Sequence, residues 1–277
     1  MLKGFYTAGA GMIAQQRRQE MLSNNLANAN TPGYKADQGS LRAFPEMLMQ
    51  SLNTEELPYN KSFKNSHLLG PINTGVYLQE AIPNFAQGDL QQTGIHTDIA
   101  LQAQVLPINE ETNRAGAIFF EVQNENGDLR YTRNGDFTLD GSGNLVTNEG
   151  FYVLDTQGNP IQIFGNDFTV NEDGTVLEGE VQIAQINIAY ANEPEQLVKE
   201  GSTLFAVNGG GALESAIGNN EIVYSLRQGF VEGSNVDVQQ TMTEMMTAYR
   251  TFEVNQRVLR SYDQSMEKAV NEVGRVR

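Results

Sequence analysis

The chain has 277 residues, 39% of them hydrophobic and 19% charged, a composition that supports a buried core and excludes a disordered polymer. It carries 18 basic and 34 acidic side chains, a net charge of −16, and no cysteine, which excludes disulfides, thiolate metal centres and thiol nucleophiles. No run reaches the roughly 18 apolar residues of a membrane-spanning helix. The charge is unevenly spread: residues 1–50 carry a net of +2, residues 230–277 a net of −1, and the middle a net of −17. An acidic middle argues against binding a phosphate backbone, and near-neutral ends suit segments that lie against identical copies.

The first segment is amphipathic. Phe5, Ala8, Met12, Gln15, Gln19, Leu22, Leu26 and Ala29 recur at alternating four- and three-residue spacing, which predicts a helix with one seam. Gln15 and Gln19 interrupt the seam, as polar positions that fix register do. Gly9-Ala10-Gly11-Met12-Ile13-Ala14 matches the G-x-G-x-x-A dinucleotide pattern, but no strand precedes it and no βαβ unit surrounds it. The stretch between Lys3 and Ala8-Gly9-Ala10 is too short for the apolar region of a cleaved signal, so any export is expected to use another route.

The segment closes on Ser23-Asn24-Asn25-Leu26-Ala27-Asn28-Ala29-Asn30-Thr31-Pro32-Gly33-Tyr34-Lys35. Asparagine competes for backbone groups and is a poor helix former. Thr31-Pro32-Gly33-Tyr34 fits a type II turn and accounts for the stop. It does not account for Asn24 and Asn25. Uncharged amides can be buried between subunits without the desolvation cost of charge, so Asn24, Asn25 and Asn28 are expected to contact another subunit.

Residues 36–86 read as a connector, with a short helix expected from Pro45 to Leu52 and an extended run broken by Pro58, Pro71 and Pro83. From Gln87 to Arg227 the period changes. Asn126-Gly127, Asn134-Gly135, Asp140-Gly141, Asp173-Gly174 and Asn208-Gly209 are hairpin signals. They separate candidate strands at 118–122, 129–133, 137–139, 144–147, 152–154, 161–164, 169–170, 175–177, 181–190 and 204–207, with one helical turn expected around Leu197. Such spacing predicts an antiparallel sandwich or irregular barrel.

At the C-terminus, Val238, Met242, Met245, Tyr249, Phe252, Gln256, Leu259, Asp263, Met266, Val270 and Val273 form a second four-three seam of about five heptads, which favours coiled-coil packing. Ser234, Asn235 and Asp237 are candidate caps.

Chemistry is sparse. His67 and His96 have no second histidine or carboxylate cluster at a ligand spacing. Asp136, Asp140, Ser142 and Asn144 lack the frame of a calcium loop and read as hairpin turns. No catalytic residue, metal ligand or cofactor site is expected.

The closure of the first segment resembles the N-terminal signature of bacterial flagellar rod and hook proteins. Gln228-Gly229-Phe230-Val231-Glu232-Gly233-Ser234-Asn235-Val236-Asp237 resembles the segment that precedes the C-terminal helix in that family. Met245-Met246-Thr247-Ala248-Tyr249-Arg250-Thr251-Phe252-Glu253 resembles part of that helix, and Tyr131-Thr132-Arg133-Asn134-Gly135-Asp136-Phe137-Thr138-Leu139-Asp140 with Gly143-Asn144-Leu145-Val146-Thr147 resembles the β domain of distal-rod members. One departure is a longer polar stretch, about 102–117, between Asp98-Ile99-Ala100-Leu101 and Phe119-Phe120.

The resemblance implies an α+β fold. Terminal helices would form a coiled-coil-like pair around a mainly antiparallel β domain, divided as 1–35, 36–86, 87–228 and 229–277. It implies a structural subunit of the basal-body rod, not an enzyme and without cofactors. Such subunits pass the flagellar export apparatus without a cleaved signal and assemble helically with copies of themselves and other axial proteins. The assembly interface expected is Phe5, Met12, Leu22, Asn24, Asn25, Leu26, Asn28, Val238, Met242, Met245, Tyr249, Phe252, Leu259, Met266 and Val270. Alternatives are a hook or proximal-rod subunit and, from another class, a secreted module that binds wall glycan through its β domain.

Overall fold

A computed structural model describes residues 2–51, 67–109, 114–124, 126–165 and 168–273. Pro58 and Glu110–Asn113 lie outside the described residues. The chain forms two compact units: Met1–Ser23, Gln38–Ala81 and Gln239–Arg277 in one, Asn24–Asp37 and Ile82–Val238 in the other. The fold is α+β, and the registered strand pairs among the described residues are antiparallel.

In the second unit, strand Ala117–Gln123 is the axis of a nine-stranded sheet. It pairs with Leu129–Thr132 on one side, and on the other with Ile188–Ala191 and then Tyr152–Val153 along its length. Side chains alternate across a strand. Ile118, Phe120 and Val122 therefore enter one core with Ile99, Leu101, Phe137 and Leu145. Ala117 and Phe119 enter the other with Tyr131 and Phe205. In that second core Phe85, Phe119 and Phe205 stack with ring centres 5.2 to 5.6 Å apart. A strand buried on both faces explains why its sequence is an unbroken apolar run up to Glu121. Strands Ile99–Val105 with Val223–Gln228, and Leu90–Gln92 with Phe230–Glu232, bring the start and the end of this unit together.

One loop shape recurs. At Asp140–Asn144, Thr147–Phe151, Asp155–Asn159 and Asn171–Thr175, the fourth residue is a glycine with φ between 79° and 87°. In each, the glycine N–H donates to the carbonyl of the first residue, whose own N–H donates to the carbonyl of the fifth. A left-handed residue after a tight turn lets the chain reverse with the strand twist. At Asp140 the glycine that matters is Gly143 rather than Gly141, and Asp140 Oδ1 accepts from the N–H of Ser142 and Asn144. Asn134-Gly135 is not a hairpin turn. A Cβ at Gly135 would collide with the Ile99 carbonyl, so the glycine serves close backbone approach.

Three local expectations are corrected. Met47–Ser51 is a strand paired with His67–Ile72, not a helix over Pro45–Leu52; a helix that short gains little alone, whereas strand pairing satisfies its backbone. Ile161–Phe164 makes bridges, through Leu145 N–H to Ile161 O and Ile163 N–H to Gly143 O, but no strand. The helical turn near Leu197 is a 3₁₀ turn at Pro194–Gln196, opened by the proline, and Leu197–Glu200 is a strand.

In the first unit, helix α1 (Leu2–Ala27) supplies residues 2–23 and helix α2 (Val238–Lys268) supplies most of the third segment. The strand pair Leu41–Ala43 and Val76–Leu78 lies by α1, where Thr7 Oγ1 donates to the Thr74 carbonyl at 3.4 Å. Gly9 to Ala14, the segment matching the dinucleotide pattern, is interior to α1.

Candidate assembly surfaces and the junction of the two ends

The Asn-rich closure of α1 is held from within its own unit. The turn at Thr31–Tyr34 forms as expected: Tyr34 N–H donates to the Thr31 carbonyl at 3.3 Å, and Gly33 has φ +69°. It carries the Tyr34 ring back to the last turn of α1. The Tyr34 hydroxyl lies 3.0 Å from both Asn24 Oδ1 and Asn25 Oδ1 and shares its proton between them. Asn25 Nδ2 donates to the Asp37 carbonyl at 2.9 Å, and its Oδ1 accepts from the Asp37 N–H at 2.9 Å. Asn28 Nδ2 donates to Asn24, and Asn28 Oδ1 accepts from Thr31 Oγ1. The three amides therefore have partners in their own chain. Asn25 is only 4% exposed, whereas Asn24 keeps an exposed face. A hydroxyl ten residues downstream meets the local cost of these asparagines, and no second subunit is needed to explain them.

The next residue begins a buried ionic cluster. Lys35 Nζ donates to Glu232 Oε1 at 2.6 Å, and Arg133 Nη2 to Glu232 Oε2 at 2.6 Å, with Lys35 and Glu232 fully buried. Further hydrogen bonds surround the pairs: Lys35 Nζ also donates to Ala86 O, Arg133 to Ile118 O and Leu101 O, and Glu232 Oε1 accepts from the Gly88 N–H. Burial, with Arg133 beside it, lowers the Lys35 ammonium to about 8 against the pull of Glu232. Burial pushes Glu232 upward, but Arg133 and Lys35 together outweigh it and hold the carboxyl below its ordinary value. Removing one partner from such a cluster costs about 3–5 kcal/mol, because the remaining charge is stranded.

Neutral bonds run alongside. Gly33 N–H donates to the Glu232 carbonyl at 2.7 Å, and Asn235 N–H to the Tyr34 carbonyl at 3.4 Å. Asn235 Oδ1 accepts from the Ala36 N–H, while its Nδ2 donates to Asn84 O and Ala86 O. Asn235 thus braces the N-terminal signature, a role not anticipated from its position before α2. Lys35, Arg133 and Glu232 were likewise missed as a group, although each is the buried charge of a different motif segment.

In the first unit the two helices run antiparallel. A Cβ at Gly4 would collide with the Tyr262 hydroxyl, one at Gly11 would come 3.0 Å from Asn255 Nδ2, and Arg18 pairs with Glu244 at 3.0 Å. On α1 the expected seam faces inward: Ala8, Gln15 and Leu22 are buried, and Phe5, Met12, Leu26 and Ala29 are half-buried. Among the buried or half-buried positions of α2 are Thr241, Met245, Ala248, Phe252, Asn255, Gln256, Leu259, Tyr262 and Met266. Of these, Met245, Phe252, Gln256, Leu259 and Met266 belong to the expected seam. Val238, Met242, Tyr249 and Val270 are exposed, Val270 by 72%. Small or polar Thr241, Ala248 and Asn255 permit closer approach than the bulkier residues beside them. Met245, Met246 and Tyr249 with Gln19, Glu20 and Ser23 line a groove of about 720 Å³. Met246 is 57% and Tyr249 53% exposed there.

Among the described residues there is no group of three or more histidine, cysteine or acidic side chains able to hold a metal, and no helix is long and apolar enough to cross a membrane.

Comparison with known proteins agrees with this layout. The profile for the flagella basal body rod protein matches residues 5–35, that for the flagellar hook protein FlgE/F/G D1 domain 115–178, and that for the flagellar basal body rod FlgEFG protein C-terminal region 227–272. The flagellar hook-basal body complex protein FlhO of Bacillus subtilis is 48% identical over 276 residues, covering 100% of both chains. The flagellar basal-body rod protein FlgG of Borreliella burgdorferi is 30% identical over 279 residues, covering 98% of each. The flagellar hook-basal body complex protein FlhP of Bacillus subtilis is 28% identical, covering 96% of this chain and 97% of its own. The family is one of structural subunits rather than enzymes, and with its helical ends, its β body and full-length relatives of this kind, the chain belongs to the flagellar basal-body rod and hook-basal-body protein family.

Proposed function

We propose that the chain is a structural subunit of the flagellar axial rod, of the distal-rod type. It assembles helically with copies of itself and with neighbouring axial proteins through its two terminal helices. The observation that carries this reading is the exposed apolar stripe Met242, Met246 and Tyr249 on α2. A stripe of this kind on a soluble monomer marks an interaction surface, and it lies on the helix matched by the rod C-terminal profile. The partly buried seam of α1, including Phe5, Met12, Leu22 and Leu26, pairs with α2 as a short coiled coil and presents the stripe outward. The strongly acidic segment 51–229 faces away from the axis, where like charges lie farther apart. Export proceeds through the flagellar apparatus without a cleaved signal.

A hook–basal-body role outside the distal rod is the second reading. It is favoured by the relatives at 48% and 28% identity, which carry hook-basal body complex names. Fractionation decides between these and a non-flagellar role. The chain should co-purify with isolated hook–basal bodies and persist in the rod after the hook is removed. Loss with the hook would favour the second reading, and absence from both would end the first.

A further inference from the structure

The ionic cluster joins points far apart in sequence: Lys35 and Glu232 are separated by 197 residues, and Arg133 and Glu232 by 99. Its surroundings repeat the connection with hydrogen bonds from backbone N–H groups. Gly33 N–H reaches the Glu232 carbonyl, Ala36 N–H reaches Asn235 Oδ1, and Gly88 N–H reaches Glu232 Oε1. Two cations face a single carboxylate in a fully desolvated space. Without Glu232, Lys35 and Arg133 would be buried like charges with no anion. Without Lys35 and its neighbours, the Glu232 segment would lose one counter-ion and the chain that covers it.

We propose that Lys35, Glu232 and Arg133 form a latch by which the two ends of the chain order each other on the β unit: Asn24–Asp37 and Gln228–Val238 hold their places together or not at all. The latch closes only when both segments are present, so a chain cut before Gln228 cannot close it. The α1 turn at Asn24–Ala27 is drawn into this closure through Tyr34, Asn24 and Asn25. The inference concerns a single subunit and stands whether or not that subunit builds a rod.

Hydrogen exchange on the full-length protein tests it. Glu232→Gln keeps the side-chain shape and removes the charge. It should speed exchange at least about tenfold at Gly33, Ala36 and Asp37, on the far side of the 197-residue gap, as well as at Gly88 and Gly233. Ile118, Phe120 and Val122 in the central strand should keep their protection. Asn235→Ala, which disturbs no charge, should loosen the same N-terminal amides to a smaller degree and serves if Glu232→Gln does not fold. The reciprocal change, Lys35→Met, should release Gly233. Loosening confined to the substituted segment would overturn the proposal. So would equal loss of protection across the central strand, which would make the cluster ordinary core.

Discussion

Lys199 Nζ stands 4.1 Å from the centre of the Tyr34 ring while donating to Asp37 Oδ1 at 2.9 Å and to the Lys35 carbonyl at 3.1 Å. A strand residue of the β unit thus covers the aromatic ring that closes the N-terminal signature. Lys199→Met keeps the aliphatic stem but removes the cation. It should cost about 1–2 kcal/mol, from a largely buried cation–π contact and a shielded ion pair. Urea unfolding of the β unit, followed by circular dichroism, reads this as a lower midpoint at unchanged slope.

The buried cluster gives an alkaline dependence whose sign is opposite to that of a simple salt bridge. Lys35 is lowered to about 8 in the folded chain, mainly by burial, while an unfolded lysine keeps its proton to about 10.4. Across that window the unfolded chain binds more protons, so stability rises with pH. The stability difference between wild type and Lys35→Met should shift in favour of wild type by no more than about 1.4 kcal/mol per pH unit between pH 8 and 10. A flat difference would mean that Lys35 titrates as an exposed lysine.

Glu232 gives a slope of the same sign at the acid end. Its carboxyl is held below 4.5 by Arg133 and Lys35 against the effect of burial. Its contribution is present above that value and disappears as pH falls through the lower folded value. Wild type should lose stability relative to Glu232→Gln below about pH 4.5, measured by thermal melts from pH 6 to 3.

Gly33 combines a φ of +69° with contact against the backbone of Arg133 and Asn134. Gly33→Ala adds a left-handed penalty of about 1–2 kcal/mol to a clash that only backbone movement relieves. Trypsin should then cleave at Lys35 in the folded protein, where the buried wild-type Lys35 should resist. Continued resistance would show that the turn accommodates a side chain.

The exposed stripe on α2 permits separation of folding from assembly. Met246 is 57% exposed, so Met246→Glu should change stability by no more than about 0.5 kcal/mol. Sedimentation at high concentration should nevertheless show loss of large assemblies, and the variant should not enter hook–basal bodies. Normal incorporation would remove this stripe from the interface.

The sequence was legible where the determinants are local. The α1 seam, the Thr31–Tyr34 turn and the apolar strand 117–123 follow from periodicity, proline and glycine placement, and burial on two faces. It was illegible where a partner lies far along the chain. Nothing near Asn24 announces that its partner is Tyr34, and nothing near Lys35 points 197 residues onward to Glu232. Within the single chain, the buried face of α2 is offset by one residue from the expected seam at alternate positions. Hydrophobicity selected Met242 and Tyr249, whereas close helix packing selected their small neighbours Thr241 and Ala248. At Met47–Ser51 a short apolar run carried no periodicity able to distinguish helix from strand.

Gly33 and Glu232 are joined by a 2.7 Å backbone hydrogen bond, and Tyr34 and Asn235 by one of 3.4 Å. Where the chain enters the β unit is therefore also where it leaves. A body mounted this way is a cassette on a fixed socket. Loops in it can lengthen, strands can be added or a whole sheet exchanged, and the terminal segments still meet at the same spacing. Evolution can thus alter the β unit without renegotiating the segments that frame it.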